Sequence, residues 1–151
     1  MLSHGEVLAK KRIVLASASP RRLEILRDNG GLSNLVIKKS GFAEDMDKAT
    51  FSSPAEYVTE YAKQKVLYVA EEEKDADMII GCDTVVVRDG TILEKPSSKE
   101  DAVAMLTSLS GRRHTVYSGV AIVCGPAGAR TTELFHAETQ VPGPPGEPST
   151  P

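Results

Sequence analysis

Short apolar runs, separated by polar or glycine-rich segments, are the main pattern along the chain. Runs rich in β-branched residues predict strands, because these side chains pack well on a pleated sheet. Such runs occupy residues 12–18, 35–42, 77–96, 114–125 and 129–141. The first run lacks an alternation of polar and apolar residues, so its strand should be buried on both faces. In 77–96 the dipeptide Asp89-Gly90 separates two apolar stretches and predicts a type I′ hairpin turn.

Apolar residues at a spacing of about 3.6 predict three helices between these runs. The helices begin at Pro20, Pro54 and Lys99 and end at Gly30-Gly31, about Glu73 and Gly111. Ser98 and Asp101 form a capping box for the third helix. Its residues Ala102, Leu106 and Leu109 share one face. Strands that alternate with helices in this way are typical of a mixed α/β fold.

The composition is that of an ordinary globular domain, with 151 residues, 40% of them hydrophobic and 26% charged. The net charge of −3 predicts neither a nucleic-acid polymer nor a membrane surface as a partner. No apolar run approaches the roughly 20 residues that cross a bilayer, and the segment MLSHGEVLAKKR lacks the apolar core of a signal peptide. Cys82 and Cys124 have neither metal-ligand spacing nor a disulfide framework. We therefore expect a cytoplasmic protein with buried free thiols.

Two arginines stand where the start of a helix disfavours them. Ser19 is a good N-cap and Pro20 suits the first helical position. Arg21 and Arg22 then face the positive end of the helix dipole. Free N–H groups at a helix start bind anions, and guanidinium groups grip phosphate oxygens. The pattern indicates a phosphate site, with two solvated arginines as an equally acceptable alternative.

Lys65 lies within the apolar stripe of the long second helix. Val58, Tyr61 and Val69 share that stripe, whereas Lys63 points away from it. A lysine on a core face either extends its head group to solvent or neutralises a buried anion. The helix pattern leaves both interpretations open.

Asp83 interrupts the apolar strand MIIGCDTVVV, where an unpaired carboxylate would be costly to bury. Buried carboxylates occur where they bind a metal, pair with a cation or act as a base. Gly81, on the same strand face, predicts space for a ligand. The structural alternative is that Asp83 and Thr84 cap a strand end or a bulge.

Weaker candidates accompany these residues. Glu94 and Lys95 end the partner strand of the hairpin, and Glu44 in a polar loop is an oxygen ligand suited to Mg²⁺. Arg112 and Arg113 are interpreted as a solvated pair of which one reaches the ligand. The chain has neither a GxxxxGK[ST] loop nor a GxGxxG motif, which excludes the two common nucleotide cradles. Cations that hold a polyphosphate, beside carboxylates that bind metal or activate water, indicate phosphate chemistry.

Five motifs occur in order along the chain: LASASPRR, AKQKV, GCDTVV, ILEKP and MLTSLSGRRHTVYSGVAI. Together they resemble the Maf family of nucleoside triphosphate pyrophosphatases. Segment 47–70 resembles in particular the Maf-like domain of the acetylserotonin O-methyltransferase-like proteins of animals. The resemblance covers residues 12–141. It implies an elongated α/β fold like that of the inosine triphosphatases, with a mixed sheet, flanking helices and a central cleft. It also implies hydrolysis of a nucleoside triphosphate to the monophosphate and pyrophosphate with a divalent cation, Mg²⁺ or Mn²⁺.

The same resemblance assigns roles to residues of this chain. Catalysis is expected from Asp83, Lys65 and Lys95, and metal binding from Asp83 and Glu44. Substrate binding is expected from Ser17, Arg21, Arg22, Thr84 and Arg113. Asp83 would activate water, and the two lysines would neutralise the charge of the triphosphate. The expected substrates are dTTP, UTP or modified nucleotides.

Departures from the family pattern lie mostly at the C-terminal end, where family chains continue and this one has PGPPGEPSTP. The prolines predict a disordered or polyproline tail. We therefore divide the chain into an N-terminal extension (1–11), an incomplete Maf-like domain (12–141) and a Pro-rich tail (142–151). A C-terminally truncated domain would expose a sheet edge, which is compatible with a homodimer. The alternative to an active enzyme is a weak or inactive isoform that binds nucleotides or a partner protein.

Overall fold

The computed structural model describes residues 10–17, 19–32, 34–43, 46, 51–93, 98–109, 113–126 and 128–142. The strands are β1 (Ile13–Leu15), β2 (Leu35–Ile37), β3 (Met78–Arg88), β4 (Thr91–Leu93), β5 (His114–Cys124) and β6 (Thr131–Val141). The helices are α1 (Pro20–Glu24), which continues as a π-helical turn over Ile25–Asn29, α2 (Pro54–Glu72) and α3 (Lys99–Leu109). Within this part of the chain, no helix is long and apolar enough to cross a membrane.

One mixed sheet contains the six strands of the described residues, in the order β2-β1-β3-β5-β6, with β4 paired to β3. β1 is parallel to both of its neighbours, and Leu15 lies opposite Ile37 of β2 and Ile80 of β3. β3, β5 and β6 are antiparallel to one another in turn. After β1 the chain therefore forms β2 on one side of β1 and then β3 on its other side. This change of direction creates a topological switch point beside the C-terminal end of β1, where α/β proteins commonly bind ligands.

The helices cover the two faces of the sheet. On one face, α2 contributes to the buried cluster of Val14, Ala16, Ala62, Val66, Val69, Ala76, Ile79, Ala121 and Val123. On the other face, Leu23 and Leu26 of the α1 segment pack against the buried cluster of Ile13, Leu15, Leu32 and Ile80. β1 is fully buried between these clusters, which confirms the expectation from its uninterrupted apolar sequence.

Local sequence signals account for the hairpin and the helix starts. Asp89 and Gly90 have φ values of 50° and 78°, and a type I′ turn requires positive φ at both positions. Ser53 Oγ accepts a hydrogen bond from Glu56 N–H at 3.1 Å at the start of α2. Ser98 Oγ accepts one from Asp101 N–H at 3.0 Å at the start of α3. These side-chain caps satisfy donors that have no partner within the helix.

Two helical segments differ from the simple patterns predicted for them. After Glu24, the first helix widens, and Gly30 N–H donates to the carbonyl of Ile25, five residues back, at 3.0 Å. In α3, Leu109 is buried, but Val103 is 56% and Leu106 is 58% exposed. The apolar face of α3 is therefore largely uncovered by the described residues, although its spacing is helical.

Arg130 ties the end of α2 to the turn between β5 and β6. Its Nη2 donates to the carbonyls of Glu73 at 2.8 Å and Ala76 at 3.0 Å. Its Nη1 donates to the carbonyl of Ala70 at 3.2 Å, and its Nε to that of Gly125 at 3.4 Å. A cation among the last carbonyls of a helix is favourable because those oxygens lack helical N–H partners.

Candidate functional site

The segment that follows β1 fixes Arg22 through a short chain of hydroxyl contacts. Ser17 is 8% exposed, and its Oγ accepts from Arg22 Nη1 at 3.2 Å and from Ser19 N–H at 3.1 Å. Ser19 Oγ accepts from Arg22 N–H at 3.4 Å, which confirms Ser19 as the N-cap of α1. Arg21 is exposed. The structure therefore holds one of the two arginines in place and leaves the other in solvent.

Lys65 and Asp83 form an ion pair on the opposite face of the sheet from α1. Lys65 Nζ donates to Asp83 Oδ1 at 3.2 Å, and the two side chains are only 11% and 12% exposed. Lys65 thus neutralises a buried anion and does not extend to solvent. Asp83 avoids the cost of an uncompensated buried carboxylate by pairing with this cation.

The interior of β3 is regular where Asp83 and Thr84 lie. Residues 78–87 of β3 pair with β5 without interruption, and Asp83 lies opposite Gly119. The alternative in which Asp83 and Thr84 cap a strand end or a bulge is therefore wrong. Because side chains alternate along a strand, Thr84 points to the face opposite Asp83. Thr84 is exposed, and its Oγ1 lies 3.3 Å from Ser118 Oγ.

Gly81 provides room for a helix, so the prediction of ligand space at this position is wrong. A Cβ at Gly81 would lie 2.4 Å from Val66 Cγ1 and 3.1 Å from the carbonyl oxygen of Ala62. The face of Gly81 is thus filled by α2. Close packing at this point brings α2, and with it Lys65, down onto β3 near Asp83.

Gly119 is a second close contact, and the sequence pattern did not single it out. A Cβ at Gly119 would lie 2.4 Å from the carbonyl carbon and oxygen of Val58. The available signal was a glycine inside the apolar strand HTVYSGVAIVC, because such glycines often mark a close approach of another backbone. Its position opposite Asp83 depends on the pairing of β3 with β5, which the local pattern does not specify.

Cys82, the residue before Asp83 in β3, is close enough to Arg22 and to Lys65 for both charges to act on its thiol. Burial raises the pKa of the Cys82 thiol, the positive charges of Arg22 and Lys65 oppose that rise, and the charge of Asp83 adds to it. One thiol is thus electrostatically coupled to Arg22, to Lys65 and to Asp83. These groups surround the same short part of β3, next to the end of β1. Both Cys82 and Cys124 are free thiols, as their spacing predicts.

The remaining predicted site residues are less closely associated with this cluster. Arg113 is exposed and precedes β5, six positions from Gly119. At about 3.4 Å per residue, this separation is roughly 20 Å along the strand. Glu44 and Lys95 lie outside the described residues. Their roles, and that of Arg113, stay predictions.

Of the two predicted metal ligands, Asp83 lies within the described residues, and its carboxylate suits a hard divalent cation. Residues in the described ranges form no group of three or more His, Cys, Asp or Glu side chains suited to a metal. Mg²⁺ is often held by one or two carboxylates together with substrate phosphates, so Asp83 with a bound triphosphate is a chemically suitable donor set.

The arrangement therefore brings two cations and one carboxylate to the same part of the sheet. Arg22 and Lys65 supply positive charge from the two sides of β3, and Asp83 supplies a carboxylate. The family model described as Maf-like protein matches residues 12–142. The chain belongs to the Maf family.

Relatives of this Maf chain include proteins named as pyrophosphatases. It is 54% identical over 121 residues to the probable bifunctional dTTP/UTP pyrophosphatase/methyltransferase protein of Homo sapiens, covering 77% of this chain and 19% of that protein. It is 44% identical over 119 residues to the nucleoside triphosphate pyrophosphatase of Dictyostelium discoideum, covering 76% of this chain and 54% of that protein. It is 40% identical over 131 residues to the dTTP/UTP pyrophosphatase of Pelotomaculum thermopropionicum, covering 87% and 65%. The chain thus spans less than two thirds of the length of each of these relatives.

A solved structure supports the fold assignment of this Maf chain. The Ham1 protein of Staphylococcus aureus matches 86% of this chain and 70% of its own length, with a TM-score of 0.52 and 18% sequence identity. The two folds are similar at an identity too low to transfer function. The predicted α/β class, with a mixed sheet and flanking helices, is confirmed.

Proposed function

We propose that this chain hydrolyses a nucleoside triphosphate to the nucleoside monophosphate and pyrophosphate. The observation that carries the proposal is the buried pair of Lys65 and Asp83, which are 3.2 Å apart beside the switch point of the sheet. A purely structural role does not require a lysine and an aspartate here, because an apolar pair of similar volume would pack at least as well. The names of the relatives from human, Dictyostelium and Pelotomaculum support the same reaction.

The cations are proposed to hold the triphosphate. Arg22, oriented by Ser17, provides a guanidinium that can bind two phosphate oxygens at once. Arg21, which is exposed at the start of α1, is proposed to add a second guanidinium when the polyanion is bound. Lys65 and Lys95 reduce the charge that accumulates on the phosphates as the bond to the leaving group breaks.

Asp83 is proposed as the group that activates water. In the reaction, a water oxygen forms a bond to the α-phosphorus, and the bond from that phosphorus to the bridging oxygen of the β-phosphate breaks. The water proton passes to the Asp83 carboxylate, and pyrophosphate departs with the bridging oxygen and the electron pair. The neighbouring Lys65 keeps a positive charge beside the carboxylate before the proton arrives.

A divalent cation, Mg²⁺ or Mn²⁺, is proposed as the cofactor. Asp83 would hold it together with Glu44 and the substrate phosphates. Bound there, the cation would supply Lewis-acid polarisation of the phosphoryl oxygens. Thr84, on the opposite face of β3 from Asp83, and Arg113, before the start of β5, are also proposed to contact the nucleotide.

The names of the relatives suggest a class of substrate, and the free cysteines suggest where the protein is located. The names of the human and Pelotomaculum relatives favour dTTP and UTP. The free thiols of Cys82 and Cys124 are consistent with the cytoplasm. A homodimer is also proposed, because β6 is an edge strand of the sheet formed by the described residues.

The test is pyrophosphate release from a panel of nucleoside triphosphates, with Mg²⁺ or Mn²⁺, by the wild type and by the Asp83→Asn variant. Asp89→Asn is the matched control, because it makes the same chemical change in the same hairpin at an exposed turn where Asn tolerates a positive φ. We expect release by the wild type and by Asp89→Asn, and a loss of at least about a hundredfold in Asp83→Asn.

Each arm of this experiment has a defined meaning. Release that is strongest with dTTP or UTP supports the substrate assignment. Equal release by Asp83→Asn would contradict the role of Asp83 while leaving the hydrolase intact. Absence of release by the wild type with every triphosphate would overturn the enzymatic proposal, and nucleotide binding measured by calorimetry would then support a binding module.

A further inference from the structure

A cavity of about 420 Å³ lies between the start of α2 and the tip of the β3–β4 hairpin. Cavities of this size are typical of small-molecule sites. Phe51, Ser52 and Ser53 line the wall next to α2, and residues 90–92 line the wall formed by the hairpin. None of these residues is charged, so the cavity suits a neutral group with polar edges better than it suits a phosphate.

The cavity lies on the same side of the sheet as the Lys65–Asp83 pair. Ile92 lies opposite Val87 and shares a sheet face with it. Val87 shares that face with Asp83, because side chains alternate and the two residues are four positions apart in β3. This separation is roughly 14 Å at about 3.4 Å per residue, and an extended nucleoside monophosphate has a length of the same order. A nucleotide whose α-phosphate lies at Asp83 can therefore place its base in the cavity.

We propose that the cavity binds the base of the substrate, a uracil or a thymine, and that Ser52 and Ser53 determine its specificity. The inference rests on the proposed hydrolysis, since it concerns the base of a triphosphate whose phosphates lie beside Asp83. It adds the part of the chain that recognises the nucleotide to the part that acts on its phosphates.

The two serines present one hydrogen-bond donor and one acceptor. Ser53 Oγ accepts from Glu56 N–H at 3.1 Å, which leaves its hydroxyl proton for a ligand. Ser52 Oγ donates to the Glu56 carboxylate, which leaves its lone pairs to accept. Uracil and thymine have a carbonyl oxygen, O4, beside the N–H at ring position 3. The carbonyl oxygen can therefore accept from Ser53 while the N–H donates to Ser52.

Cytosine presents the opposite order of groups along the same edge. An amino group replaces the O4 carbonyl, and the ring nitrogen beside it is an acceptor instead of a donor. In the same position, cytosine would oppose donor to donor at Ser53 and acceptor to acceptor at Ser52. A site that leaves its polar groups unpaired with one ligand discriminates against that ligand.

The ring of Phe51 is held in place by two tyrosines. It meets Tyr57 edge-on, with ring centroids 5.3 Å apart and an interplanar angle of 81°. Tyr57 packs in turn against Tyr61 at a centroid distance of 4.8 Å, and Tyr61 is buried. Phe51 therefore offers the cavity an ordered aromatic surface for a planar base. Stacking of this kind tolerates every base, so the choice between bases falls to the serines.

Pyrophosphate release by the full chain from UTP, CTP and ribose 5-triphosphate, which has no base, tests the assignment. We expect the wild type to prefer UTP to CTP. Ser52→Ala removes the acceptor and should lower kcat/KM for UTP roughly three- to tenfold, with no change for ribose 5-triphosphate. Ser108→Ala is the matched control, because the Ser108 hydroxyl donates to the carbonyl of Met105 within α3, and it should leave all three substrates unaffected.

Two results of these kinetics would overturn the base site. The first is a wild type that shows no preference between UTP and CTP. The second is an equal loss for UTP and for ribose 5-triphosphate in Ser52→Ala, because a general structural effect does not depend on the base.

Fluorescence measures base binding without hydrolysis. The chain contains no tryptophan, so Phe51→Trp places a single indole at the cavity. UMP carries the base but cannot release pyrophosphate. We expect UMP to change the fluorescence of this variant with saturation and ribose 5-phosphate to leave it unchanged. The same response to both compounds, or a response to neither, would overturn the base site.

The two experiments separate this inference from the proposed hydrolysis. If the wild type releases no pyrophosphate from any triphosphate but UMP alone changes the fluorescence of Phe51→Trp, the hydrolysis is wrong and the base site is supported. If release is the same with every base and without one, the hydrolysis is supported and the base site is wrong.

Discussion

Gly119 and Val58 meet at backbone contact distance. A Cβ added to Gly119 would lie 2.4 Å from the carbonyl carbon of Val58, so α2 crosses β5 with no side chain between them. Gly119 is also the cross-strand neighbour of Asp83. Two turns after Val58, Lys65 extends its side chain back toward the start of α2 and reaches Asp83. The absence of one side chain on β5 thus helps to set the distance between two charged groups on other elements.

Gly119→Ala should damage both stability and activity. The added methyl group must push α2 away from β5, since backbone atoms cannot rotate aside, and overpacking of this kind costs about 1–3 kcal/mol. The displaced helix should also lengthen the Lys65–Asp83 contact and reduce pyrophosphate release roughly tenfold or more. Urea unfolding and the release assay measure the two effects.

Gly41→Ala is the control for that substitution. A Cβ at Gly41 would meet the side chain of Tyr68, which is 42% exposed and can move aside. We expect a change of less than about 1 kcal/mol in the free energy of unfolding. If Gly119→Ala were as stable and as active as Gly41→Ala, the close approach of α2 would not control the site.

The main site residues could be predicted because they violate local patterns. Lys65 is a cation within an apolar helical stripe, and Asp83 is a carboxylate within an apolar strand, so each is conspicuous without knowledge of its partner. That they contact each other depends on α2 lying over β3, which is a long-range relationship. The same limit explains the wrong prediction for Gly81. A missing side chain can accommodate a ligand or a helix, and only the packing of Val66 decides between them.

The helices and strands were predicted more completely than the contacts that cover them. β-branched runs, Asp89-Gly90 and the Ser98 cap are local signals, and the structure follows each of them. The apolar face of α3 is different, because helical spacing predicts a face that packs, whereas Leu106 is 58% exposed. The spacing of apolar residues indicates that a segment is helical, but it does not indicate which neighbouring element covers the apolar face.

Ser17→Ala should weaken the binding of the triphosphate through Arg22. The substitution removes the oxygen that accepts from Arg22 Nη1 and from Ser19 N–H. Loss of one such charge-assisted contact corresponds to about 1–2 kcal/mol, or roughly a five- to thirtyfold higher KM, with a smaller change in kcat. Steady-state kinetics separates the two parameters. An unchanged KM would show that Ser17 does not position Arg22 for substrate.

Arg130→Ala should destabilise the chain without involving the site directly. The guanidinium donates to four carbonyl oxygens at and beyond the end of α2, and its removal should cost on the order of 2–3 kcal/mol. Arg130→Lys keeps the charge but cannot reproduce the planar fork, so it should recover only part of that loss. Urea unfolding is the measurement. Arg27→Ala, at an exposed position, is the control and should change stability by less than about 0.5 kcal/mol. Equal effects of Arg130→Ala and Arg27→Ala would show that the hydrogen bonds of Arg130 do not stabilise the fold.

Cys82 should make the chain less stable in alkaline solution. Burial raises the pKa of its thiol above the ordinary value of 9.0, so the folded state keeps a proton that the unfolded state releases as the pH rises through 9.0. The contribution of the protonated thiol to stability is therefore complete below that pH and is lost progressively above it.

Urea unfolding of the wild type and of Cys82→Ala at several pH values gives the difference between their free energies of unfolding. Cys124 is present in both proteins, so its own titration largely cancels. We expect this difference to be constant from about pH 7 to pH 8. At higher pH the wild type should lose stability relative to Cys82→Ala. A difference that does not change with pH would mean that the folded environment of Cys82 does not favour the neutral thiol.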